Sequence, residues 1–172
     1  MEERPKIKLK LGLPDILLES FGWLAILAIW GLVIVNYSSL PNSIPTHFNA
    51  AGDPDSYGGK TALFVLPIVG TITFIGMTFL NKFPEIFNYP IEITKSNASA
   101  QYTNMTRMMR YLKMILVVIF GTIVFNKIQI AQGISEGLEI WFLLINLGLL
   151  FIPLIYFIAN SFMLSKKIQF NE

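Results

Sequence analysis

The sequence predicts an all-α polytopic membrane protein. Three observations carry that reading: four long apolar runs, a composition that is 53% hydrophobic but only 14% charged, and basic residues gathered on alternate connecting segments. An α-helix rising about 1.5 Å per residue needs roughly 20 apolar residues to cross the hydrocarbon of a bilayer. Lipid supplies no hydrogen-bond partners, so each run must satisfy its own backbone, which a helix does within one segment. A water-soluble chain of 172 residues with this composition would carry more apolar surface than it could bury.

The spans are expected over residues 16–37, 61–80, 112–130 and 138–158, within a single membrane domain covering 1–172. The first run follows a charged segment and lacks a good small-residue cleavage site, so it reads as a retained helix rather than a cleaved signal. Within the spans, Pro67 and Pro153 are expected to bend their helices, and Gly31, Gly70, Gly76, Gly121 and Gly148 to admit close neighbours. Thr71, Thr73, Asn126 and Asn146 are expected to hydrogen-bond between helices. No acidic residue falls near the middle of a span, which argues against a proton-coupled pump, and Glu19, Lys127 and Glu139 lie close enough to helix ends to snorkel.

Charge placement sets the expected orientation. All the basic residues except Lys60 and Lys127 fall before the first span, between the second and third or at the mouth of the third, or after the fourth. The positive-inside bias therefore places both termini and the 81–111 segment in the cytoplasm, with the 38–60 loop outside. Within 81–111, residues 91–94 alternate apolar and polar like an extended segment, one that residues 6–11 could pair with. After them Tyr102, Met105, Met109 and Leu112 recur at helical spacing, which predicts a cytoplasmic interfacial helix running into the third span, with Arg107 and Arg110 reaching lipid phosphates.

The outward loop concentrates the chemistry. It holds the only histidine, His47, with Asn49, Asp53, Asp55, Tyr57 and Lys60, among prolines and glycines that favour a compact, ordered turn structure. His47, Asn49, Asp53 and Asp55 are candidate metal ligands, because imidazole suits zinc and its neighbours while carboxylate and amide oxygens suit harder ions. The same residues read equally as turn-formers, with Asp and Asn capping and Lys60 snorkelling beside the second span. A third reading makes His47, Asn49, Asp53, Asp55, Tyr57 and Lys60 a recognition surface. Gly59-Lys60-Thr61 is not a phosphate-binding loop, since Pro54 stands where that motif requires glycine.

The run Leu40-Pro41, Ile44-Pro45-x-His47-Phe48-Asn49, Gly52-x-Pro54-Asp55-x-Tyr57-Gly58-x-Lys60, just after a first span, resembles the domain of unknown function at the amino terminus of SdpI-type immunity proteins. These are bacterial multi-pass membrane proteins, typified by one that protects its producer from a secreted toxic peptide and signals that peptide's presence. A second run, Phe87-Asn88-Tyr89-Pro90 with Ile93-Thr94, Asn97-Ala98, Gln101-Tyr102 and Arg107-Met108, is similar to a subgroup of short four-helix members without the longer carboxy-terminal portion. The resemblance implies a bacterial inner (plasma) membrane location and an immunity or sensing role toward a secreted peptide or envelope component.

The chain is not expected to be an enzyme or to hold a cofactor. It has no cysteine, and with a single histidine no nucleophile–base pair is visible; a metal-dependent enzyme or sensor resting on His47 with Asp53 or Asp55 is the alternative, and a structural subunit of a membrane complex is another. The expected partners are the lipid bilayer and a secreted peptide or another membrane protein, with homo-oligomers open. Its diffuse basic charge lacks any element that would read nucleic acid.

Overall fold

A computed structural model describes residues 4–169. Helix α1 (Leu13–Asn36) leads to a hairpin of β1 (Ser43–Phe48) and β2 (Pro54–Gly59). A 3-10 turn (Lys60–Phe64) opens α2 (Val65–Leu80), and α3 (Ala98–Ala131) and α4 (Ile140–Gln169) complete the bundle. Among the described residues, four helices are long and apolar enough to cross a membrane, the second counted from Lys60. The fold is mostly helical, and the protein is a multi-pass membrane protein.

Helix α3 is the central element and packs against α1, α2, α4 and β1. Ile29 and Val33 of α1, Leu63, Phe74 of α2, and Val117 and Val124 of α3 meet in one buried cluster. Close packing supplies the attraction here, because lipid tails are as apolar as these side chains. Gly22 shows how close the helices come: a Cβ there would lie 2.4 Å from the Phe74 ring. The expected glycine contacts are mostly absent. Of the five, Gly70 alone faces another helix, at Phe120, while Gly31, Gly76 and Gly121 have open space and Gly148 meets only Ile152 of its own helix.

The prolines behave differently from each other. Pro67 stands in the first turn of α2, where a missing N–H is best tolerated. Thr71 Oγ1 donates to the Pro67 carbonyl at 2.7 Å and accepts from Trp30 Nε1 at 3.0 Å, tying α1 to α2 as expected. Pro153 lies inside α4 and leaves the Leu149 carbonyl without its usual donor. Tyr111 of α3 fills that gap, its hydroxyl donating to Leu149 O at 2.7 Å. Asn126 and Asn146 do not bridge helices. Each amide turns back on its own helix, to the Thr122 and Phe142 carbonyls, the local side-chain-to-backbone bond that competes with a bond across helices.

The interfacial helix expected before residue 112 is the opening of α3 itself, continuous with the span. Its Tyr102 and Met105 are buried in protein rather than laid on lipid. Residues 91–94 form no strand, and residues 6–11 have no regular structure. Arg4 instead donates to the Glu85 and Phe87 carbonyls and stacks over Tyr89, pinning the amino-terminal segment to the 84–89 turn. Burial, and then Tyr102 beside it, pushes the Tyr89 phenol well above its ordinary value, against the pull of Arg4.

Candidate functional site

The outward loop of the sequence is a β-hairpin. Strands β1 and β2 pair antiparallel, with Ser43 opposite Gly59 and Pro45 opposite Tyr57, and the register slips between Pro45 and Phe48. The hairpin is anchored: Ile44 and Pro45 are fully buried, and transfer of one such aliphatic side chain out of water contributes about 2 kcal/mol. Thr46 is held from below by Lys127, whose ammonium donates to its carbonyl at 3.3 Å, so Lys127 points into the protein rather than snorkelling.

The turn is closed by Asn49. Its Oδ1 accepts from the amides of Ala51 and Asp53 at 2.9 and 3.0 Å, while its backbone N–H donates to the Asp53 carbonyl. Gly52 completes it with φ of +94°, a conformation costly to any residue with a Cβ. The Gly52 carbonyl then accepts from the Leu138 amide at 2.8 Å, docking the hairpin tip on the connection between α3 and α4.

The six candidate residues therefore divide. His47 and Asp55 face each other on the exposed side, Nδ1 to Oδ1 at 2.6 Å, with their side chains 70% and 42% exposed. Asn49 and Asp53 belong to the turn, their side chains 3.4 Å apart. Among the described residues no group of three or more His, Cys, Asp or Glu could hold a metal ion. Tyr57 projects outward and is 59% exposed. Lys60 turns toward the bundle, its ammonium 4.9 Å from the Tyr37 ring centroid.

The opposite end carries a cluster that the sequence did not disclose. Asp15 of α1 accepts two bonds from Arg107 of α3, from Nε and Nη2, each at 3.0 Å. Four residues on, Glu19 accepts from Lys113 at 2.6 Å, and Lys113 also reaches Thr78 of α2 at 2.5 Å and lies over the Phe74 ring. Arg110 stands between the two carboxylates, 3.7 Å from Asp15 and 3.3 Å from Glu19, its Nε without a hydrogen-bond alignment. Asp15, Arg110 and Lys113 are buried. Arg107 and Arg110 thus both pair with acids of α1; Arg110 is buried where lipid contact was expected, Arg107 stays partly exposed, and Glu19 is held rather than snorkelling. The readable signal was spacing: acids at 15 and 19 share one helical face, and bases at 107, 110 and 113 share another.

Four spans with an ordered hairpin between the first two define a multi-pass membrane protein. Residues 24–71, from α1 through the hairpin into α2, match the model of a domain of unknown function, DUF1648. An uncharacterized protein of Archaeoglobus fulgidus is 36% identical over 75 residues, 39% of this chain and 41% of that protein. The chain thus spans about two fifths of the length of this relative. No solved structure matches.

Proposed function

We propose that the protein is an SdpI-like immunity or sensing protein of a bacterial inner membrane, with cytoplasmic termini and a hairpin that recognises an extracytoplasmic peptide. The observation that carries the reading is the hairpin's division of labour. Ile44, Pro45 and the Gly52–Leu138 bond fix the hairpin in the bundle, while His47, Asp55, Ser56 and Tyr57 are displayed to solvent. A surface ordered before its ligand arrives loses little entropy on binding, and an exposed tyrosine beside a hydrogen-bonded His–Asp pair suits a contact hot spot. Among the described residues β2 has no sheet partner beyond β1, so an extended peptide can add as a third strand.

A deletion strain complemented with the natural chain, and challenged with peptides secreted by neighbouring cells, tests the reading. The natural chain restores survival or the transcriptional response, and the His47→Ala/Tyr57→Ala double variant loses at least about tenfold in sensitivity, the equivalent of about 1.4 kcal/mol of contact. Equal protection by the double variant at equal membrane abundance contradicts it. Recovery of a larger complex through the helix faces, indifferent to hairpin changes, would favour a structural subunit.

A further inference from the structure

We infer that the groove between the start of α3 and the end of α4 binds the headgroup of an anionic phospholipid, with one acyl chain laid along α4. The groove has a volume of about 430 Å³ and is walled by Ser96, Ser99, Thr103, Asn104, Arg107 and Asn160. Its depth suits a headgroup. Asn160 and Ser161 are the first polar pair after the long apolar run of α4, where that helix leaves hydrocarbon for the interface.

The electrostatics suit an anion. Arg107 commits Nε and Nη2 to Asp15, which leaves Nη1 outside the pair, and its side chain is 33% exposed. Across the cluster three cations face two carboxylates, and of its residues Arg107 lines the groove. Lys95 adjoins Ser96, and Lys167 follows Leu164 by three residues on the face that holds Asn160; both lysines are exposed. Basic pockets between membrane helices at headgroup level select anionic lipids.

A second feature specifies a lipid rather than a free phosphate. An apolar notch of about 330 Å³, lined by Ile145, Gly148, Leu149, Ile152 and Pro153, lies further along α4. Positions 149, 153, 156, 160 and 164 follow one another at three- and four-residue steps, so notch and groove share one stripe of the helix. From Asn160 to Gly148 the stripe runs about 18 Å at 1.5 Å per residue, close to the length of a long acyl chain. Tyr156, 58% exposed, lies between the two.

Native mass spectrometry and thermal-shift measurements on the delipidated full chain in neutral detergent test the assignment with phosphatidylglycerol, phosphatidylcholine, a short-chain phosphatidylglycerol and glycerol phosphate. Long-chain phosphatidylglycerol should bind at least about tenfold tighter than phosphatidylcholine, as expected for a few basic contacts. Ser99→Leu/Thr103→Leu, which fills the groove, should abolish that preference, and Gly148→Leu, which fills the notch, should abolish the chain-length dependence. Equal binding of the two headgroups, or an unchanged preference in the groove-filled variant, overturns the proposal. Glycerol phosphate competing as well as the long-chain lipid would replace the lipid with a soluble phosphate and overturn it too. Lys95→Gln/Lys167→Gln provides an independent variant outside the buried ion pairs and should weaken phosphatidylglycerol selectively.

Discussion

The two ends of the bundle solve the problem of polar groups in a membrane protein in opposite ways. At the hairpin end the polar residues lie within about a dozen positions of one another, close their bonds through a local turn and leave His47, Asp55 and Tyr57 facing solvent. At the charged end the partners come from helices far apart in sequence: Asp15 with Arg107 and Glu19 with Lys113. The first arrangement displays chemistry, whereas the second buries it to register α1 against α3. Such pairs contribute little net stability over apolar packing, yet breaking one strands a charge.

That asymmetry yields its largest effect at Glu19. Glu19→Gln takes from the fully buried Lys113 its carboxylate partner and leaves it the Thr78 hydroxyl, and should cost about 3 kcal/mol in a detergent unfolding titration. Glu19→Leu/Lys113→Leu, which removes both charges, should recover most of the loss. If the double variant is as unstable as the single one, the pair is not what holds the helices in register. Gly22→Ala comes next, since its methyl would press into the Phe74 ring between the two ends and should cost about 2 kcal/mol by overpacking.

At the hairpin the effects are smaller and local. Gly52→Ala places a Cβ within 1.9 Å of the Leu138 carbonyl at positive φ, so the tip must leave its dock. Strain of about 1 kcal/mol is expected, read as faster hydrogen exchange of the Leu138 amide with the charged end unaffected. Tyr111→Phe removes the donor that satisfies Leu149 at the Pro153 break and should cost about 1 kcal/mol, with α4 loosening against α3. Uniform destabilisation from either change would mean the two ends are not separable.

The legibility of each region follows from the range of its interactions. The four spans were readable because lipid imposes one requirement on every residue of a span, and bounds for α1 and the α2 segment differ by only a few residues from expectation. The helix that opens α3 was legible but its burial was not, because Gln101, Asn104 and Arg110 are buried against protein, and an isolated sequence shows polarity without showing its partner. The hairpin was legible as an ordered loop but not as strands, since Pro45, the slipped register at His47 and Gly58-Gly59 interrupt the alternation that marks a strand. His47, Asn49, Asp53 and Asp55 were grouped by proximity in sequence, and strand pairing separated them into two pairs.

Sidedness is the claim on which both readings stand, and a chain without cysteine offers a clean background for measuring it. Ser56→Cys and Lys95→Cys, each placed at an exposed position, can be probed in intact cells with a membrane-impermeant thiol reagent. The expected result is immediate labelling at position 56 and labelling at position 95 only after permeabilisation. The reverse pattern would put the hairpin in the cytoplasm and contradict its role as an outward recognition surface.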